Sequence, residues 1–167
     1  MKNWLVIFLC FFAATSFAQD TAKPAPITYK TYTAIPAFNL YSLDSTKFSS
    51  ISVVEKKQPF VIMYFSPTCS HCQHQAEEIT SHIKDLKDVK ILMVSSYPLS
   101  DIKQFATEYG VTHFANITLG FDPEFDMGRF FELRSLPGIF VYDKNGRLVK
   151  TFETNTTVAE IIASIGK

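Results

Sequence analysis

The sequence is short of cysteine, of charge imbalance and of long apolar runs, and each shortage excludes a class of protein. Lys plus Arg number 16 and Asp plus Glu number 16, so no overall field draws the chain to nucleic acid or to an anionic lipid surface. No block of like charge supplies such a field locally. A single long apolar stretch, Trp4 to Ala14, invites comparison with a membrane span, and it falls well short of the roughly 20 residues a spanning helix needs. No internal repeat or low-complexity tract is present. With 167 residues, 47% of them hydrophobic, the chain holds material for one globular domain and not for two.

The three cysteines are Cys10, Cys69 and Cys72. Lys2, the apolar stretch and Thr15-Ser16-Phe17-Ala18 follow the charge, apolar, small-residue order of a secretory signal, with cleavage expected after Ala18. Cys10 leaves with that segment, and no Leu-x-Ala/Gly pattern precedes it to predict a lipid anchor. The mature chain then keeps only Cys69 and Cys72, and a pair three residues apart cannot staple distant parts of a core. In an oxidising compartment such a pair reads as chemistry. The expected organisation is a cleaved signal peptide at 1–18, an extended leader at 19–33 carrying Pro24 and Pro26, and one domain over 34–167.

Short apolar patches around Leu43-Asp44-Ser45-Thr46 predict a small hairpin at the start of the domain. Phe60 to Phe65 is continuously apolar and suits a strand buried on both faces, as in a parallel sheet covered by helices. Cys72, Ala76, Ile79, Ile83 and Leu86 form one helical stripe with Glu77, Glu78, Lys84 and Asp85 off it. Val89 to Val94 predicts a second buried strand. Ile102, Phe105, Ala106 and Tyr109 predict a second helix that Gly110 stops. Further on come a strand near Ile117, a Pro123 placed to open a helix and a short helical run toward Leu133. Asn145-Gly146 between Ile139–Tyr142 and Leu148–Phe152 signals a hairpin, and Val158, Ile161, Ile162 and Ile165 mark one face of a last helix.

Cys69-Ser70-His71-Cys72 falls where the first buried strand gives way to the first helix. Unpaired amides and the positive dipole end at a helix start stabilise a thiolate, which should lower the Cys69 pKa below the roughly 8.5 of a free thiol. Cys72 projects from the same side one turn on, close enough to attack a mixed disulfide formed at Cys69. Cys69 is the expected nucleophile and Cys72 the resolving residue. Ser70 and His71, between the sulfurs, are the candidates for tuning the potential, His71 by donating to the Cys69 thiolate. A structural zinc site would need a second cysteine pair, and a c-type haem site would need His where Gln73 stands. The expected redox group is the Cys69–Cys72 disulfide itself, with no metal and no further cofactor.

Three segments carry a resemblance: Ile35-Pro36-Ala37-Phe38-Asn39-Leu40, Phe65-Ser66-Pro67-Thr68-Cys69-Ser70-His71-Cys72, and Leu136-Pro137-Gly138-Ile139-Phe140-Val141-Tyr142-Asp143-Lys144-Asn145-Gly146. From about Ile35 onward the chain resembles the TlpA-type periplasmic thiol-disulfide oxidoreductases of the thioredoxin-like superfamily. The resemblance implies a thioredoxin fold, an α/β structure with a central mixed sheet flanked by helices, here with an N-terminal hairpin added. It implies that Pro137 is cis beside the cysteines and that the Leu136 backbone pairs with a substrate chain, a strand-addition contact. It also implies a periplasmic setting, protein thiols and disulfides as partners, and a membrane or periplasmic thiol donor, with no stable membrane insertion after cleavage.

The chain departs from that pattern at Thr68, where the family usually has Trp, and at Gln75, where many members carry a Glu that accepts a proton. Met63 likewise supplies no buried Asp in the preceding strand. Water, His71 or His74 remain as acceptors for the Cys72 proton. Two other readings stay open. A peroxiredoxin would place Pro and Thr seven and three residues before its cysteine, on Ile62 and Ser66 here. A copper or zinc metallochaperone would use Cys69 and Cys72 with His71 or His74.

Overall fold

Five residues in succession, Phe60–Tyr64, are buried, because both faces of the strand they form are covered. The computed structural model describes residues 27–166. The expected signal segment, Cys10 and the first part of the leader lie outside the described residues. In chain order the elements are β1 (Asn39–Tyr41), β2 (Lys47–Ser49), β3 (Phe60–Tyr64), α1 (Ser70–Ser81), β4 (Lys90–Ser95), α2 (Leu99–Glu108), β5 (Ile117–Phe121), α3 (Asp126–Phe130), β6 (Gly138–Tyr142), β7 (Leu148–Phe152) and α4 (Val158–Ile165).

The strands form one mixed sheet in the order β2-β1-β5-β4-β3-β6-β7. β3, β4 and β5 are parallel, β6 runs antiparallel to β3, and β6–β7 and β1–β2 are the two hairpins. Strand alternation divides the core. Val61, Met63, Ile91 and Met93 face Cys72, Ala76 and Ile79 of α1, Ile102 and Phe105 of α2, and Val158 and Ile161 of α4. Phe60, Ile62, Tyr64, Leu92 and Val94 face Leu40, Met127 and Phe131 on the other side. Steps from β3 to β4 to β5 run one way across the sheet, and the step from β5 to β6 runs back. Right-handed crossovers between the parallel strands place α1 and α2 on one face, and Met127 puts α3 in the core of the other.

Some elements differ from the expectation in instructive ways. The apolar stripe predicts a helix reaching Leu86, but α1 ends at Ser81. Beyond it the chain tightens into three-residue turns, with Asp85 N donating to His82 O at 3.0 Å, Leu86 N to Ile83 O at 3.1 Å and Val89 N to Leu86 O at 2.9 Å. A spacing of three keeps Ile83, Leu86 and Val89 toward the core, so periodicity survives the end of the helix. Pro123 does not open a helix. It lies in a turn from Asp122 to Phe125, and the buried Asp122 carboxylate accepts from the N–H groups of Asp126 and Met127 at the start of α3. The β6–β7 turn spans Asp143 to Arg147, with Gly146 alone at positive φ (73°) and Asp143 Oδ1 accepting from Asn145 N and Arg147 N. Gly110, at φ 62°, follows α2 as expected.

Of the segment expected to run extended, residues 27–33 are described, and they include a turn in which Tyr32 N donates to Thr28 O. Tyr29 packs edge-on against Phe140 with centroids 5.7 Å apart. Leu148 N donates to Thr33 O at 2.8 Å, and Ala34 bridges to Arg147.

Candidate active site

The sheet itself brings two distant loops together. β3 pairs with β6 so that Tyr64 lies opposite Gly138. The chain leaving β3 and the chain entering β6 therefore share one end of the sheet. Phe65 N still donates to Val94 O, and then Ser66-Pro67-Thr68 turns the backbone, with Cys69 N donating to Ser66 O at 3.2 Å. Cys69 is the N-cap of α1, at extended dihedrals (φ −88°, ψ 118°).

Both cysteines are free thiols in the structure, Cys69 part-buried and Cys72 fully buried. Cys72 Sγ accepts from Ser66 N at 3.5 Å. Burial pushes the Cys72 thiol up to about 12, the Ser66 N–H opposes that rise, and the neighbouring Cys69 sulfur adds to it. Cys69 Sγ lies 3.8 Å from the carbonyl oxygen of Leu136. The Leu136–Pro137 bond is cis, with Pro137 buried and Leu136 half-buried.

Ser70 and His71 are exposed. His71 Nδ1 is 2.8 Å from Asn155 Oδ1, and Asn155 Nδ2 donates to His71 O at 2.6 Å. The sequence expectation has the ring donating to the Cys69 thiolate, whereas the structure joins Nδ1 to Asn155. His74 is exposed and pairs with Glu77 at 3.2 Å, while His82 pairs with Glu78. Among the described residues no three His, Cys, Asp or Glu side chains are grouped to hold a metal ion. Among the same residues no helix is long and apolar enough to cross a membrane.

Gln75 is the residue whose importance sequence reasoning missed. It is fully buried, donating through Nε2 to Thr156 O at 3.0 Å and accepting at Oε1 from Thr156 N at 2.8 Å. Glu78 Oε1 accepts from Val158 N at 2.9 Å. Residues 71, 75 and 78 lie along one side of α1, and they join in turn to Asn155, Thr156 and Val158. Gln75 follows Cys72 by three, which puts an amide beside the apolar stripe. A polar residue there signals a buried partner, but nothing in the sequence says which one.

The fold and the paired sulfurs at the strand-to-helix turn define a thioredoxin-like oxidoreductase. The AhpC/TSA family model matches residues 32–151, and the chain belongs to that family. No curated protein matches the chain. Among solved structures, a thiol:disulfide interchange protein of the thioredoxin family from Chlorobium tepidum is 18% identical over 86% of this chain and 97% of its own, with a TM-score of 0.63. A secreted Mycobacterium tuberculosis disulfide oxidoreductase homologous to E. coli DsbE is 16% identical over 77% of this chain and 94% of its own, at 0.63. The peroxidoxin BcpB of Mycobacterium tuberculosis is 15% identical over 80% of this chain and 94% of its own, at 0.66. At these identities the likeness is one of fold.

Proposed function

We propose that this protein is a TlpA-type thiol-disulfide oxidoreductase that reduces disulfides of exported proteins in the periplasm. One observation carries the reading: an accessible sulfur at a helix N-terminus stands one turn before a fully buried one, with a backbone carbonyl of the facing loop 3.8 Å away. Cys72, its thiol pushed up to about 12, stays protonated near neutral pH and does not compete for the first attack. Cys69 attacks a substrate disulfide, the substrate S–S bond breaks, and one substrate thiolate leaves. Cys72 then loses its proton and attacks Cys69 Sγ. The second substrate thiolate leaves, the substrate has gained two electrons, and the protein holds the Cys69–Cys72 disulfide. A thiol donor at the membrane or in the periplasm restores the dithiol. The Leu136 backbone is suited to pair with the substrate chain during these steps.

The test is insulin reduction recycled by dithiothreitol. The wild type should catalyse it and Cys69→Ala should not. Cys72→Ala should arrest as mixed disulfides that mass spectrometry can identify. Insulin left unreduced by the wild type would defeat the reading. The family match and the peroxidoxin neighbour favour a second reading, a peroxidase. It predicts Cys69-dependent peroxide consumption at rates that insulin reduction does not reach.

A further inference from the structure

His71 and Asn155 are joined by two contacts of opposite sense, and together these fix a proton. The His71 carbonyl oxygen has no hydrogen to give, so the Asn155 atom 2.6 Å from it is the amide nitrogen. The Asn155 atom facing the ring is then the carbonyl oxygen, 2.8 Å from Nδ1. That oxygen only accepts, so Nδ1 carries the hydrogen. A neutral imidazole has a single N–H, which leaves Nε2 with a bare lone pair. No described residue hydrogen-bonds Nε2, and the side chain is exposed in the first turn of α1, between Cys69 and Cys72 in the chain. Asn155 is itself held in place, because Gln75–Thr156 and Glu78–Val158 fasten the following residues to α1.

We propose that Asn155 is a positioning residue for thiol exchange: it holds His71 in the Nδ1–H form, so that Nε2 accepts the proton of a thiol reacting at the cysteine pair. The inference rests on the thiol-disulfide reading above. Nε2 takes the proton of an attacking thiol, Cys69 in the dithiol form or a partner's thiol when the protein is oxidised. The resulting thiolate attacks the disulfide, that S–S bond breaks, and the imidazolium returns the proton to the departing sulfur.

The experiment uses reduced, 15N-labelled protein, with the ring nitrogens of His71 observed above its titration. The wild type should show Nδ1 in the protonated range and Nε2 in the unprotonated range. Asn155→Ala should revert to the Nε2–H form that a solvated histidine side chain prefers. Asn155→Asp loses the donor to the His71 carbonyl, which water can replace at this part-exposed position, but keeps the acceptor and should keep the Nδ1–H form. The rate constant for mixed-disulfide formation at Cys69 with an aryl disulfide should fall roughly tenfold in the Ala variant, within what general-base catalysis supplies, and recover in the Asp variant. An Nε2–H ring in the wild type, an unmoved tautomer in Asn155→Ala, or an unchanged rate despite a moved tautomer would each overturn the proposal. A wild type inert toward insulin would instead defeat the functional reading, and the nitrogen shifts distinguish the two failures.

Discussion

Gln75 shows what a single side chain settles. Its amide meets both backbone polar groups of one residue, donating to the Thr156 carbonyl and accepting from the Thr156 N–H. A carboxylate could keep only the second of these and would set two acceptors face to face in a buried space. Gln75→Glu should therefore destabilise the protein by about 1–3 kcal/mol at neutral pH, the cost of a buried polar group left without its partner. Protonation restores a donor, so burial and the facing carbonyl raise the folded-state pKa of the introduced acid above its unfolded value. The penalty is then small at low pH and grows as pH rises through that folded pKa. Urea midpoints at pH 4.5 and pH 8 check this: the gap between wild type and variant should widen at pH 8, and a constant gap would count against the clamp. The cysteines were legible from sequence, because position at a strand-to-helix junction carries their chemistry. Asn155 was not, because its partner lies 84 residues away and no local pattern encodes that distance.

Elements were readable where a local rule and the global fold agree. The six apolar residues from Phe60, the Gly110 stop and the hairpin signal at Asn145-Gly146 each satisfy propensity and packing together. The reading overran at α1, since Ile83 and Leu86 keep their core-facing spacing in tight turns as well as in a helix. The region from Val111 to Arg134 was the least legible. Asp122 organises it from a buried position, accepting from two N–H groups and the Tyr64 hydroxyl. α4 presents a cleaner case. Thr157 accepts from Glu160 N at 3.2 Å, and the Glu160 carboxylate accepts from Thr157 N at 3.0 Å, a reciprocal cap. Thr157→Ala should cost about 1 kcal/mol in urea unfolding. Because α4 and the rungs to α1 follow the family-matched residues 32–151, this cap supports a feature outside that match. The variant should leave the rate of Cys69 alkylation unchanged, and a large rate change would show that the cap reaches the site.

At the scale of the whole molecule, the Cys72 thiol and the Tyr64 and Tyr142 phenols are acids of the alkaline range enclosed in the core. Burial pushes all three up, Cys72 to about 12, and the Asp122 carboxylate adds to the rise at Tyr64. In the unfolded chain the thiol ionises from about pH 8.5 and the phenols from about pH 10. Between those values and the folded ones the unfolded chain binds fewer protons than the native state, so stability is full below pH 8.5 and falls as pH rises. Each group lowers it by up to about 1.4 kcal/mol per pH unit within its window. Below pH 10 the fall belongs mainly to Cys72, which makes it separable. Urea midpoints of the reduced protein should drop between about pH 8.5 and pH 10. The oxidised protein, whose Cys72 has no thiol proton, should stay nearly level over that interval. A reduced protein as indifferent to pH 10 as the oxidised one would mean that Cys72 ionises in the native state as readily as in the unfolded chain, and would overturn the rise that burial causes.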